Sequence, residues 1–153
     1  MRNKKLLSIA VIIVVGIGCH STPDIVKADR LRNFPAEISE GDIVHVATGE
    51  KITFPQLADS FDSTRIIYVG EVHSNMESHV LELQVLKEFY KRSGGNLAVG
   101  MEMFKRPHQE ILDKWTNGEI SEKELLYSTD WDYEWGYDYN HYKEIMDFIR
   151  DNK

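Results

Sequence analysis

The sequence holds one cysteine, four prolines and no apolar run of the length a membrane-spanning helix requires. A single thiol excludes an intramolecular disulfide framework and any cluster held by several thiolates, so stability rests on packing. Positive charge is also scarce: 18 Lys and Arg against 25 Asp and Glu give −7, without the basic footprint that a nucleic-acid partner needs. What is present is material for a core. Hydrophobic residues make up 42% and aromatics 10%, too apolar and too varied for a disordered or collagen-like chain. A length of 153 residues suits one domain.

The first residues read as an export signal. Arg2, Lys4 and Lys5 precede Leu6 to Gly18, an uncharged stretch rich in Ile and Val, which is the order of a signal peptide's n- and h-regions. As a helix this stretch rises only about 20 Å, short of the roughly 30 Å hydrocarbon core, so a cleaved signal over 1–18 is preferred to a permanent anchor. Small residues before Cys19 resemble the bacterial lipobox, although Gly16 stands where Leu is usual. The expectation is a lipidated Cys19 on an exported chain, tethered at the periplasmic or cell-surface face of a membrane. Cleavage there removes three basic residues and leaves 15 against 25 acidic ones, a charge of −10. Residues 19–38 are polar and aperiodic, a tether ahead of a domain spanning 39–153.

Within that domain, Ile43 to Val46 and Ile52-Thr53 flank a Thr48–Lys51 turn and predict an edge hairpin. Leu57, Ala58 and Phe61 follow at helical spacing. Two compact apolar runs, Arg65 to Val69 and Asn96 to Met101, suit strands buried on both faces. Between them Ser74-Asn-Met-Glu77 has the form of a capping box, and His79, Leu83, Leu86 and Tyr90 form one helical stripe ending near Arg92, before Gly94-Gly95. Strand, helix, strand makes a βαβ unit. Further helices are expected from Pro107 to Gly118, from a second capping box at Ser121–Glu124, and from Tyr139 to Arg150. The resulting class is α/β: a partial parallel sheet with flanking helices, incomplete at its carboxyl-terminal end, because the last apolar helix face has no strand after it.

The chemistry gathers at the strand ends. Glu71 and His73 close the first run and Glu102 the second, where open α/β sheets bind ligands. Alternation puts Glu71 and His73 on one side, and a parallel neighbour about 4.8 Å away brings in Glu102. Two carboxylates and an imidazole suit a divalent ion, so Glu71, His73 and Glu102 are candidate metal ligands. The same three suit acid/base catalysis, since nearby carboxylates split their pKa values. His79, on an apolar stripe, reads first as a satisfied core histidine and second as a partner orienting His73. Between Asp130 and Tyr142, six Trp and Tyr residues stand among acidic ones; they are either a satellite core or a stacking surface for a flat ligand, with a Tyr or His reaching iron. The candidates for cofactor contact are His79, Tyr139 and Tyr142.

The series Ile66-Ile-Tyr-Val-Gly-Glu-Val-His73, Ala98-Val-Gly-Met-Glu-Met-Phe104 and Trp135-Gly-Tyr-Asp-Tyr-Asn-His-Tyr142 closely resembles the ChaN-like haem-binding lipoproteins, which are grouped with Tiki-type metalloproteases and erythromycin esterases. The resemblance runs from about Ile43 to the end. It implies an α/β fold, lipid anchoring, haem held at a homodimer interface and a role in haem and iron uptake, with the superfamily's site residues falling on Glu71, His73 and Glu102. Members of the family are longer, so a carboxyl-terminal portion is expected to be missing. Two functions stay open: a surface-tethered haem carrier, and an esterase- or peptidase-type hydrolase using Glu71, His73 and Glu102.

Overall fold

Short alternating segments with a glycine between them pair as the sequence predicts. In the computed structural model, which describes residues 37–152, β1 (Ile43–His45) and β2 (Glu50–Ile52) form an antiparallel hairpin, with Ile43 opposite Ile52 and His45 opposite Glu50. The turn closes where Gly49 takes a φ of 73° and donates its N–H to the His45 carbonyl at 2.8 Å. Then α1 (Phe54–Asp59) starts at a capping box: the Thr53 hydroxyl accepts from the Gln56 N–H, and the Gln56 side-chain amide oxygen Oε1 accepts from the Thr53 N–H at 2.8 Å. A 3-10 turn over Ser60–Ser63 follows. Among the described residues, 37–64 form one compact unit and 65–152 another. The expected signal, Cys19 and nearly all of the tether lie outside the described residues.

The larger unit is helical. Its longest element, α2 (Met76–Arg92), is capped one residue later than the sequence predicts. Asn75, not Ser74, accepts the Ser78 N–H at 2.9 Å. The reason is local: the Asn75 N–H closes a turn onto the Val72 carbonyl at 2.7 Å, and this carries the chain past Ser74 and leaves Asn75 extended, as a cap must be. At the other end Gly95 takes a φ of 79° and donates to the Tyr90 carbonyl at 3.0 Å. The positive φ favours glycine, and a Cβ there would also come within 3.1 Å of the Tyr90 hydroxyl.

After a 3-10 turn at Arg106–His108 come α3 (Gln109–Thr116), α4 (Glu122–Ser128), α5 (Trp131–Glu134), a 3-10 turn at Tyr139–His141 and α6 (Lys143–Asp151). The Ser121–Glu124 box forms as expected, with the Glu124 carboxylate accepting the Ser121 N–H at 2.7 Å. Trp115, Leu125, Trp131, Tyr139, Tyr142 and Met146 form the main core. Burying side chains of this size contributes about 1.5–3 kcal/mol apiece. A smaller cluster of Leu83, Leu86 and Ile145 joins α2 to α6, and the Tyr90 hydroxyl donates to the Asn152 carbonyl at 3.1 Å across the same pair of helices. No helix among the described residues is long and apolar enough to cross a membrane.

The parallel sheet is not formed. Residues 66–70 and 96–101 take up no regular secondary structure, and the only sheet among the described residues is the β1–β2 hairpin. Nor is the first run buried on both sides. Ile66 is 59% and Tyr68 37% exposed while Ile67 between them is 8% exposed, the alternation of a chain with one covered face. An apolar run reports extension and burial; a ladder also needs a neighbour within hydrogen-bonding reach. Here the two runs line a common cavity of about 800 Å³.

Candidate functional site

The alternation that covers Ile67 also turns Glu71 and His73 inward, while Val72 between them stands 62% exposed. They meet: His73 Nδ1 lies 2.8 Å from Glu71 Oε1. A carboxylate oxygen accepts, so Nδ1 carries a proton and, in the neutral ring, Nε2 keeps its lone pair. The Tyr142 hydroxyl donates to the same Oε1 at 3.1 Å, bringing a residue from the edge of α6 to the end of the first apolar run.

His79, in the first turns of α2, is 2% exposed. Its Nε2 lies 3.1 Å from the His73 carbonyl. That oxygen can only accept, so Nε2 carries the proton and, in the neutral ring, Nδ1 is bare. His141 Nδ1 also donates to the His73 carbonyl, at 3.2 Å, and its ring stacks on His79 at 5.4 Å. The Nδ1 side of His79 faces two carboxyl groups, with Glu71 Oε2 and Glu82 Oε2 each 3.1 Å away and a hydrogen bond shared with Glu82. Glu71 Oε2 is fully buried and has no hydrogen-bond partner. Among the described residues, Glu71, His79 and Glu82 bring one ligand atom each to within 4.8 Å of one another, close enough for a metal ion.

The charges respond to this crowding. Burial, and then the neighbouring Glu71 carboxylate, push the Glu82 carboxyl above its ordinary range, against the pull of His79. Burial and the Glu71 carboxylate likewise raise the Tyr142 phenol, which stays protonated as a donor. The Tyr139 phenol is raised for the same first reason.

The His73 side chain is 30% exposed. Trp135 and Tyr137 flank it, with ring centroids at 4.6 and 4.7 Å. Glu102 lines the same cavity as Glu71 and His73 but is exposed; it forms no hydrogen bond or ion pair with them. Tyr139 and Tyr142 are core residues, 7% and 1% exposed. The aromatic–acidic segment is thus divided: Trp131, Tyr139 and Tyr142 belong to the main core, not to a satellite, Trp135 and Tyr137 border His73, and Tyr133 is 83% exposed.

Sequence reasoning missed two residues. Glu82 carried a readable signal, a carboxylate three residues after His79 beside the apolar stripe of α2, where a solvated residue does not belong. His141 gave no signal beyond its place beside Tyr142.

Comparison with known proteins finds no match among curated proteins or solved structures. A family model described as haem-binding uptake, Tiki superfamily, ChaN matches residues 57–153. This covers well over half of the chain and the whole site just described, and on that ground the chain belongs to the ChaN haem-binding uptake family of the Tiki superfamily.

Proposed function

We propose that this chain binds haem as cargo through His73, within an uptake route for haem iron, after export and attachment to a membrane through a lipidated Cys19. The observation that carries the reading is the state of the His73 ring. Its Nδ1 proton is committed to Glu71 at 2.8 Å, its Nε2 is free, and its side chain is partly open to solvent. A carboxylate-backed imidazole is a more basic iron ligand than a free one. Trp135 and Tyr137 offer flat apolar faces beside it. Tyr139 and Tyr142 fit the ligand role less well, because a tyrosinate ligand must lose its proton and burial raises both phenols. An exposed His73 edge also suits haem shared between two copies, as the family resemblance implies.

Haemin titration tests this directly. Wild type is expected to give a saturable Soret shift and His73→Ala at least tenfold weaker binding with an altered Soret band. Equal binding by both removes His73 from the role, and no saturable shift in wild type removes the carrier reading.

One observation favours a second reading, a hydrolase: the Glu71–His73 pair at the edge of a cavity can take a proton from water. Ester or amide turnover that disappears in Glu71→Gln would support it, and turnover unaffected by that substitution would exclude it.

A further inference from the structure

We propose that Glu71 Oε2, His79 Nδ1 and Glu82 Oε2 form a site for one divalent first-row metal ion, separate from the haem-binding face of His73. The cluster holds a surplus of lone pairs. The His73 carbonyl fixes the proton of His79 on Nε2 at 3.1 Å, so the neutral ring directs a bare Nδ1 at two carboxylate oxygens, each 3.1 Å away. With both carboxyls ionised, three acceptors face one another in a buried place and repel unless a proton or a metal ion lies between them. One of them, Glu71 Oε2, has no hydrogen-bond donor at all.

A proton shared between His79 Nδ1 and Glu82 Oε2, 3.1 Å apart, is the other way to relieve that crowding, and it competes with the ion for the same place. It leaves Glu71 Oε2 without a donor, whereas an ion engages all three atoms. Transition-metal bonds of about 2.0–2.2 Å place adjacent ligands roughly 2.9–3.5 Å apart, and both measured spacings fall there. One imidazole with two carboxylates is a hard-to-borderline set suited to Mn²⁺, Fe²⁺ or Zn²⁺.

The supports of a metal site are already built. Tyr142 and His73 both donate to the other oxygen of Glu71, at 3.1 and 2.8 Å, and hold its carboxylate in place. The His73 carbonyl orients the His79 ring, as outer hydrogen bonds orient metal-bound imidazoles. The ion would therefore fix Glu71, and through it the tautomer of His73.

The test is metal uptake by chelator-stripped, repurified full chain given Zn²⁺ or Mn²⁺ alone, read by elemental analysis and calorimetry. Wild type is expected to take up one ion per chain. Glu82→Gln, nearly isosteric, should bind about tenfold or more weakly, while Glu102→Gln should bind as wild type does. No uptake by wild type, equal uptake by Glu82→Gln, or loss in Glu102→Gln with retention in Glu82→Gln each overturns the site. Zinc-edge X-ray absorption on the loaded wild type needs no variant: a single imidazole among oxygen ligands is expected, and two or more imidazoles overturn the assignment. Haemin titration of the same samples reports on His73 separately, so a failed haem reading leaves this result standing, and the reverse.

Discussion

Tyr142 belongs to two regions built on opposite terms. Its ring lies in a core where Trp131, Trp115, Leu125 and Met146 fill space around it. Its hydroxyl reaches a cluster where Glu71, His79 and Glu82 bring more acceptors than donors. The first region is held by packing even though Trp115 Nε1 and the Tyr139 hydroxyl are buried in it without a hydrogen-bond partner; the second gathers acceptors that call for a proton or a cation. The contrast separates residues that hold the fold from residues placed to meet a positive charge.

The largest effect should come from the packed core. Trp115 is 1% exposed and lies under the Arg150 guanidinium at 4.7 Å; Trp115→Ala should lose about 3–5 kcal/mol in a denaturant titration, enough to unfold a small unit. A loss under about 1 kcal/mol would mean that this core does not hold the unit together. On the polar side, Tyr142→Phe keeps the ring and deletes one of two donors to Glu71, so a loss of about 1–2 kcal/mol is expected by the same method.

Glu82→Gln should act in the opposite direction. The folded state holds the Glu82 proton more tightly than the unfolded chain does, by burial first and the Glu71 carboxylate second. That contribution is fully present below the ordinary carboxyl value of 4.5 and is lost as pH rises through the higher folded value. Metal-free Glu82→Gln escapes the loss. It should match wild type near pH 4 and exceed it at pH 7 in paired thermal melts; a variant less stable at pH 7 would show that the carboxylates do not strain the fold. Smallest of all, Tyr127→Ser at an 87% exposed position should shift stability by under about 0.5 kcal/mol. A larger change would reveal a packing role that its exposure denies.

Local signals carried much of this fold into the sequence. The hairpin, the end of α2 at Arg92 and the Ser121–Glu124 box depend on residues within a few positions of one another, and each forms. The Ser74 box failed by one residue because Ser74 and Asn75 are both good caps, and a backbone turn from Val72 decides between them. The parallel sheet was beyond reach for a different reason: apolar alternation fixes which side of a run is covered but not what it pairs with. At the site, the shared side of Glu71 and His73 follows from period-two geometry alone. Glu82 and His141 depend on how α2 and the start of α6 pack, which no single run of residues encodes.

The account rests on two imidazoles held in opposite tautomers by one carboxylate and one carbonyl. Long-range ¹H–¹⁵N correlation of the histidine rings in the metal-free, haem-free chain near pH 7 measures this directly. His73 should carry its proton on Nδ1 with Nε2 bare, and His79 should carry its own on Nε2 with Nδ1 bare. A His73 proton on Nε2 would contradict the iron-ligand role, and a His79 ring protonated on both nitrogens would show that a proton, not a metal ion, fills the place between Glu71 and Glu82.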